Sequence, residues 1–215
     1  MSDRRLTPDL LLGAYATGIF PMADSRDDPT VYWVEPQMRG VFPMDRFRVS
    51  RSLAKRLKKP DYIFAINQDF EAVIDACADR SETWINDTIR RLMLELHERG
   101  YAHSFEVRDL DGRLFGGMYG LSIGAAFFGE SMFSAARDGS KMVLTWAVDH
   151  LTRSGISLFD TQFVTDHLIS LGAVEIPRAD YQTVLAEALE QGSDILGTRV
   201  ETDRQAVVQR MTQTS

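Results

Sequence analysis

The apolar residues of the chain are densest over residues 116–134, where two runs flank the pair Ile123-Gly124. Apolar runs on either side of a turn-like pair predict a β-hairpin buried at the centre of a sheet. Both runs contain glycines, which weaken a strand and usually mark a bulge or the close approach of a ligand or another backbone. Glu130 lies in the second run, where an unpaired carboxylate would be costly. The pattern slightly favours Glu130 at a solvent-facing edge over Glu130 in the floor of a ligand site.

Helical spacing of apolar residues recurs along the chain, with capping residues before it and glycine after several of the segments. Thr7, Ser50 and Ser140 are the predicted caps of the first, second and fifth helices. The predicted helices cover residues 8–17, 50–59, 69–77, 86–99, 141–153, 165–171 and 180–190.

Short alternating or continuous apolar runs predict strands between these helices. They cover residues 31–34, 62–66, 103–108, 156–162 and 174–176, with 40–43 as the partner of 31–34. The segment after Gly197 is polar and is expected to be loosely held. This order predicts an α/β (α+β mixed sheet) fold with helices on both faces, the order found in a GNAT-like acyltransferase sheet.

Composition narrows the class of protein. The chain has 215 residues, 44% of them hydrophobic, which is enough for a sizeable core, and it shows neither a bilayer-length apolar run nor a signal-peptide core. Cys77 is the only cysteine and lies in a helix-like apolar segment, so the sequence favours a reducing cytoplasm. The four histidines form no metal-ligand pattern with it, and no metal is expected.

The charge distribution points to one basic helix. The formal net charge is -7, so any site for a polyanion must be a local basic patch. In the predicted helix 50–59, Leu53 and Leu57 share one face, and the cations share another. A solvated surface and a phosphate-backbone contact are equally good interpretations of this cluster. The cluster consists of Arg51, Lys55, Lys58 and Lys59.

Two polar residues in the predicted strand 156–162 suggest chemistry. Asp160 and Gln162 are two residues apart, so their side chains should point to the same face of the sheet. A carboxylate beside an amide suits a relay in which one accepts a proton and the other orients a group. The alternative is that Asp160 caps a neighbouring backbone group and Gln162 is solvated.

Several segments resemble the leucyl/phenylalanyl-tRNA–protein transferase family. They run in order over most of the chain, from about Pro8 to Tyr181. The longest are GGMYG at 116–120, GESMFS at 129–134, DTQ at 160–162, DH at 166–167 and SLGA at 170–173. Shorter ones are AY at 14–15, GIFP at 18–21, SRS at 50–52, TWI at 83–85 and AHS at 102–104.

The resemblance implies a GNAT-like catalytic domain, residues 46–215, behind a small N-terminal domain, residues 1–45. It implies transfer of leucine, phenylalanine or methionine from aminoacyl-tRNA to proteins that begin with arginine or lysine, which marks them for degradation. It implies a monomer without membrane contact or cofactor.

The resemblance also implies roles for individual residues. Those matching Asp160 and Gln162 are the proposed catalytic pair, with the match to Glu130 beside them. The match to Trp84 helps to hold the terminal adenine, and the basic cluster faces tRNA. The amino-acid pocket is implied to consist of Met118, Phe127, Met132, Leu144 and Phe159.

The chain departs from the family pattern at three points. Met22 replaces a frequent tryptophan, which weakens the expectation of adenine stacking on that side. Ala147 replaces a bulkier aromatic residue, which predicts a wider pocket. The N-terminal segment is shorter than is usual in the family.

The chemistry itself requires little. An aminoacyl ester is already activated, so neither ATP nor a metal is needed, and an α-amine with a pKa of about 7.7–8.0 needs modest help to lose its proton. Asp160 is expected either to act as the base, through Gln162 or a water, or to position the amine. A cationic acceptor would be drawn to Glu130 and Asp160.

Two other functions fit parts of the pattern. A CoA-dependent N-acetyltransferase of the same fold needs a glycine-rich pyrophosphate loop, but residues 137–141 contain one glycine. A non-catalytic peptide- or tRNA-binding module would have no use for the pair Asp160 and Gln162.

Overall fold

The computed structural model describes residues 6–213, so residues 1–5 and 214–215, the outer ends of the two predicted domains, lie outside the described residues. Helices and strands follow one another along nearly the whole of this range. The strands are β1 (Phe20–Met22), β2 (Tyr32–Val34), β3 (Met38–Phe42), β4 (Ile63–Ile66), β5 (Ala102–Arg108), β6 (Leu114–Ile123), β7 (Ala126–Ser134), β8 (Leu158–Gln162) and β9 (Val174–Pro177). The helices are α1 (Pro8–Ala16), α2 (Arg51–Leu57), α3 (Phe70–Ala78), α4 (Asp87–Glu98), α5 (Gly139–Arg153), α6 (Asp166–Ser170), α7 (Arg178–Leu189) and α8 (Arg204–Gln213). A 3-10 turn covers Met44–Arg46.

The predicted central hairpin is confirmed and forms the middle of a seven-stranded sheet. The strand order is β4-β5-β6-β7-β8-β3-β9, and neighbours are antiparallel except for the parallel pair β7 and β8. The hairpin turns at Gly124, whose φ of 58° and close backbone neighbours leave no room for a side chain. A bulge between Tyr119 and Gly120 accounts for one of the interior glycines.

Helices cover both faces of this sheet, which confirms the mixed α/β architecture. On one face α5 packs with α2 and α8 over an aromatic core. On the other face α1, α3, α4 and α7 enclose a second core. None of the described helices is long and apolar enough to cross a membrane.

Several local predictions hold. Thr7 and Ser50 cap α1 and α2 through side-chain oxygens that accept from the backbone of Leu10 and Leu53. The prediction for Ser140 is wrong, because α5 begins earlier. Asp138 precedes the helix in a left-handed conformation, and the Ser140 N–H donates to the Ser134 hydroxyl instead.

Two larger predictions are wrong. Strand β2 pairs with β1 in a separate two-stranded sheet. Of the predicted partner strand 40–43, residues 40–42 belong to β3, which lies between β8 and β9. β3 is buried along most of its length and β2 is largely exposed, which suits them to different sheets. The tail after Gly197 is not loosely held, because α8 buries Val207 and Met211 against α5.

The N-terminal segment is integrated with the large sheet. β3 lies within residues 1–45, the predicted small domain, and is nevertheless an inner strand of that sheet. Tyr15 of α1 is fully buried in the second core. The division at residue 45 stays a prediction.

Candidate active site

A cavity of about 350 Å³ opens where the parallel strands β7 and β8 separate. The paired residues end at Phe128 and Asp160, and the residues that follow on each strand line the cavity. Glu130 reaches it from β7 and Gln162 from β8. Strands that part in this way leave a cleft in the sheet itself, with backbone and side chains from both strands facing it.

The cavity brings together most of the predicted pocket residues. Met118, Met132, Leu144 and Phe159 line it, and so do Trp84 and Met22 at positions implied to hold adenine. The walls are therefore mainly apolar, and Glu130 and Gln162 are the acidic and amide side chains among them. The other polar side chains of the lining are Arg80, Ser131, Thr161, Thr165 and His167.

Phe127 and Ala147 lie behind this lining and are fully buried in the core. The Phe127 ring packs edge-on against Phe159, with ring centroids 5.2 Å apart, and against Phe105 at 5.6 Å. Phe127 is the register partner of Phe159, and of the two only Phe159 lines the cavity.

Glu130 is buried, with 6% of its surface exposed, so it does not lie at the solvent-facing edge that the sequence favoured. The Tyr15 hydroxyl and the Gln162 amide Nε2 each donate to its Oε1 at 2.6 Å. Within residues 6–213 no hydrogen bond to Oε2 is formed. Burial raises the pKa of Glu130 to about 7; the negative charge of Asp160 adds to the increase, and the hydrogen bond from Tyr15 opposes it.

Asp160 is fully buried, and its carboxylate is saturated with donors. Arg39 donates to Oδ1 from Nε at 2.9 Å and to Oδ2 from Nη2 at 2.6 Å. The Tyr181 hydroxyl donates to Oδ2 at 2.7 Å, and the backbone N–H of Gln162 donates to Oδ1 at 2.7 Å. Among the described residues its strand neighbours line the cavity and Asp160 stands behind them.

Asp160 and Gln162 do not both line the cavity, and the backbone leaves strand geometry at Gln162. Gln162 has a φ of 63°, in the left-handed region, which typically costs a non-glycine residue about 1–3 kcal/mol. The side chain of Gln162 turns to Glu130 while Asp160 holds its backbone N–H. Gly40 faces this turn, where a Cβ would come within 2.7 Å of the Phe163 backbone.

Sequence reasoning missed the groups that hold this corner: Tyr15, Arg39 and Tyr181. The available signal for Arg39 is a single charge in the otherwise apolar strand β3. Phe163 was missed as well; it lines the cavity beside Met22 and Trp84, is 44% exposed and packs edge-on against Phe20 at 5.7 Å.

The basic cluster lies on α2 and the turn after it. Helix α2 ends at Leu57, so Lys58 caps it and Lys59 follows it. All four cations are exposed, and none forms an ion pair with another described residue, whereas the neighbouring Arg56 pairs with Asp61 at 2.6 Å. Leu53 and Leu57 anchor the opposite face of the helix in the core.

Cys77 is part of the buried core. Burial raises the pKa of the Cys77 thiol to about 12, which argues against a nucleophilic thiolate. The part of the chain that the structure describes contains no group of three or more side chains arranged to hold a metal ion.

The sequence matches two family models. "Leucyl/phenylalanyl-tRNA protein transferase" covers residues 41–186, and "Leucyl/phenylalanyl-tRNA protein transferase N-terminal domain" covers residues 4–37. Curated relatives named "Leucyl/phenylalanyl-tRNA--protein transferase" include one from Ruegeria sp. (strain TM1040), 56% identical over 98% of this chain and 99% of its own. Another, from Cereibacter sphaeroides (strain KD131 / KCTC 12085), is 55% identical over the whole of both chains.

The fold also resembles a solved structure, the crystal structure of FemX. The TM-score is 0.50 at 11% identity, with 82% of this chain and 71% of that chain covered, which is a likeness of fold. Together with the sheet, it agrees with the predicted GNAT-like fold. The family models and the full-length relatives show that this chain belongs to the leucyl/phenylalanyl-tRNA–protein transferase family.

Proposed function

We propose that this protein transfers leucine, phenylalanine or methionine from aminoacyl-tRNA to the N-terminal amine of proteins that begin with arginine or lysine, and so marks them for degradation. The observation that carries the proposal is the cavity of about 350 Å³, which is mainly apolar along its walls and includes a carboxylate and an amide. The apolar side chain of the transferred amino acid needs apolar walls, and the reacting amine of the acceptor needs polar groups beside them.

The donor's side chain occupies the apolar part of the cavity. Met118 and Met132 contribute flexible thioethers that adapt to branched and aromatic guests, which suits leucine, phenylalanine and methionine alike. Leu144 and Phe159 close the walls. Phe127, predicted as a pocket residue, contributes by supporting Phe159.

Glu130 is placed to receive the acceptor amine. Its Oε2 is left for a ligand, and a pKa of about 7 suits a group that accepts a proton near neutral pH. When ionised it accepts a proton from the nitrogen of the neutral amine as that nitrogen attacks the ester carbonyl, and it passes this proton to the leaving ribose oxygen. The C–N bond forms, the ester C–O bond breaks, and the ribose oxygen leaves with a proton.

Gln162 and Asp160 complete the predicted catalytic pair in different ways. Gln162 lines the cavity, and its amide orients Glu130. The saturated carboxylate of Asp160 supports the positioning role over the role of a base, because its oxygens already accept from Arg39, Tyr181 and Gln162.

The terminal adenine and the phosphates of aminoacyl-tRNA bind outside the amino-acid pocket, from the mouth of the cavity outwards. Trp84 and Phe163 line it without ring contact to each other in the described structure, which supports stacking of the terminal adenine there despite Met22. Base–aromatic stacking contributes about 1–3 kcal/mol per base. The exposed cluster of Arg51, Lys55, Lys58 and Lys59 receives tRNA phosphates.

Residues 1–45 act as a small N-terminal domain that completes the catalytic domain, which the contacts of Tyr15 and Arg39 support. The protein works as a monomer in the cytoplasm, where its proposed donor is made, and needs no cofactor.

The alternative, a CoA-dependent N-acetyltransferase, finds less support. At the start of α5 the N–H groups of Gly139 and Ser140 are already bonded to Ala136 and Ser134. Gly139 packs against the backbone of Phe115, where a Cβ would clash. The glycine therefore serves helix–strand packing.

Incubation with labelled leucyl-tRNA and a model protein that begins with arginine tests the proposal. We expect label at the acceptor's N-terminus, and none with an otherwise identical acceptor that begins with glutamate. Transfer of acetyl groups from acetyl-CoA without transfer of leucine would favour the alternative.

A further inference from the structure

Arg39 is almost wholly buried, with 1% of its surface exposed, and every edge of its guanidinium is used. Nε and Nη2 bind the two oxygens of Asp160, and Nη1 donates to the backbone carbonyl of Gly18 at 3.0 Å. The rings of Phe20 and Tyr181 lie 4.5 and 4.7 Å from its central carbon. Arg39 therefore joins the N-terminal segment to β8.

A lysine could not make the same set of contacts. The guanidinium is a planar fork that matches a carboxylate bidentately and stacks on aromatic rings, whereas an ammonium is a compact point charge. The Coulombic attraction to Asp160 would survive the replacement, but the orientation of the carboxylate would not.

The orientation of Asp160 matters because of the next contact. Its Oδ1, held by Arg39 Nε, accepts the N–H of Gln162 and so stabilises the left-handed backbone there. That backbone sends the Gln162 amide to Glu130 Oε1, in the lining of the cavity. Contacts therefore run without a break from Arg39 to Glu130, although Arg39 does not line the cavity among the described residues.

We propose that Arg39 is a positioning residue for the transfer reaction: through Asp160 it fixes the left-handed turn at Gln162 and thereby the orientation of Glu130. The inference rests on the proposed function, because it assigns Glu130 the role of receiving the amine. It makes the N-terminal segment a working part of the active site.

The chain contains a matched control. Arg108 donates to the buried carboxylate of Glu106 from Nε at 2.8 Å and from Nη2 at 2.6 Å, and from Nη1 to the carbonyl of Gly112 at 3.0 Å. This pair has the same donors and similar burial, but it lies on β5, away from the cavity lining. Both donors of Arg108 reach one oxygen, Oε2, whereas Arg39 binds both oxygens of Asp160. Arg39→Lys and Arg108→Lys therefore each break a buried guanidinium–carboxylate pair, one beside the cavity and one away from it.

The first readout is turnover with saturating leucyl-tRNA and acceptor. Arg39→Lys should lower kcat about a hundredfold, the effect expected when a reacting group is misplaced by about 1 Å. The KM for leucyl-tRNA should not change, because the apolar walls are intact. Arg108→Lys should keep the wild-type kcat even if its thermal stability falls as much as that of Arg39→Lys.

The second readout does not need activity. The groups that influence the pKa of Glu130 are Tyr15 on α1, Arg39 on β3, and Asp160 and Gln162 on β8; Glu130 in turn raises the pKa of Tyr119 on β6. Loss of the Gln162 hydrogen bond should raise the pKa of Glu130 in Arg39→Lys, since that bond stabilises the ionised form. Carboxyl NMR of the folded protein measures this shift, and Arg108→Lys should leave it unchanged.

The outcomes separate the two proposals. Wild-type kcat and an unchanged Glu130 titration in Arg39→Lys, or an equal loss of kcat in both variants, overturn the role of Arg39. If the wild-type protein transfers no leucine, the proposed function fails, and the titration alone still decides whether Arg39 positions Glu130. If Arg39→Lys does not fold, Tyr181→Phe removes another donor to Asp160 and should give the same changes on a smaller scale.

Discussion

The two halves of the large sheet each contain one buried arginine–carboxylate pair, but they are built in different ways. In the half formed by β4 to β7, successive strands are neighbours in sequence, and Glu106 and Arg108 are two residues apart. In the half formed by β8, β3 and β9, the pair is Arg39 and Asp160, 121 residues apart. Both pairs join a guanidinium to a buried carboxylate, but the first connects residues of one strand and the second connects distant segments of the chain.

The difference explains where the active site lies. The pair Glu106 and Arg108 closes the end of a hairpin that local contacts already define. The pair Arg39 and Asp160 joins distant segments beside the only parallel pairing in the described sheet, where β7 and β8 part and the cavity opens. The pair Glu106 and Arg108 stabilises the fold, and the pair Arg39 and Asp160 also positions the reacting groups.

The largest effect is expected at Glu130, which faces this opening. Glu130→Gln should reduce kcat/KM for the acceptor by about a hundred- to ten-thousand-fold, the usual contribution of a general base. Glu106→Gln, which alters the buried carboxylate of the other half, should retain transfer. Equal activity of Glu130→Gln and the wild type would remove the carboxylate from the reaction.

The pH dependence sharpens this prediction. Both Glu130, with its pKa of about 7, and the acceptor amine, with a pKa of about 7.7–8.0, must lose a proton. A plot of log(kcat/KM) against pH should therefore approach a slope of 2 in acid for the wild type and a slope of 1 for Glu130→Gln. A slope of 1 in both would show that Glu130 does not titrate in the reaction.

Stability should depend on pH through the same group. Because folding raises the pKa of Glu130, its ionisation favours the unfolded chain, so stability from this group is present below its unfolded pKa and lost as pH rises through about 7. Denaturant titrations at pH 5 and 8 should show Glu130→Gln gaining on the wild type at the higher pH. The opposite trend would mean that the folded protein favours the ionised carboxylate.

The next effect is expected at Asp160, which acts through Gln162. Asp160→Asn should lower kcat about a hundredfold by releasing the turn at Gln162, while the acid slope of 2 survives because Glu130 still titrates. A variant whose slope falls to 1 would restore Asp160 as the base. Thermal unfolding of Asp160→Asn and Glu106→Gln provides the check that both variants fold.

The sequence predicted the half of the sheet, β4 to β7, in which paired strands are neighbours in the chain. The strand at residues 103–108, the turn at Gly124 and the hairpin around it were predicted from neighbours in the chain, and the structure confirms them, although every residue of β5 is buried. Glu130 and Gln162 were recognisable as polar groups in apolar strands.

The other half could not be derived from local patterns. The pairing of β3 with β8 and β9 depends on contacts more than a hundred residues apart, and the same apolar segment suited a hairpin with residues 31–34 equally well. The left-handed turn at Gln162 is held by Asp160 and so by Arg39, which alternation along one strand does not reveal. The spacing of Asp160 and Gln162 was visible in the sequence, but their different hydrogen-bond partners were not.

A smaller effect is expected at two phenylalanines that face each other across the boundary between the two halves of the sheet, β7 and β8. Phe127 and Phe159 are register partners and both are buried, but Phe159 lines the cavity. Phe159→Leu should enlarge the pocket and shift the ratio of kcat/KM for phenylalanyl- and leucyl-tRNA towards phenylalanine, by about 1–3 kcal/mol. Phe127→Leu should lower the free energy of unfolding and leave that ratio near the wild-type value; equal shifts in both would place Phe127 in the pocket.

The smallest effect per residue is expected on α2, outside both halves of the sheet. Its exposed cations have no ion-pair partners within the described range, and Leu53 and Leu57 hold the helix to the core, so neutralisation should not unfold it.

Each phosphate contact should contribute about 0.7–0.9 to the slope of log K against log salt, because binding releases counterions. Changing all four cations of the cluster to glutamine should therefore weaken tRNA binding and flatten the slope. As a matched pair, Lys58→Gln with Lys59→Gln should flatten it, whereas Arg113→Gln with Arg199→Gln, exposed positions outside the cluster that lose the same charge, should not. Equal slopes in the two double variants would mean that tRNA responds to net charge alone and that the cluster is a solvated surface. Unequal slopes, with the smaller one in the cluster variant, would place the tRNA backbone on this helix.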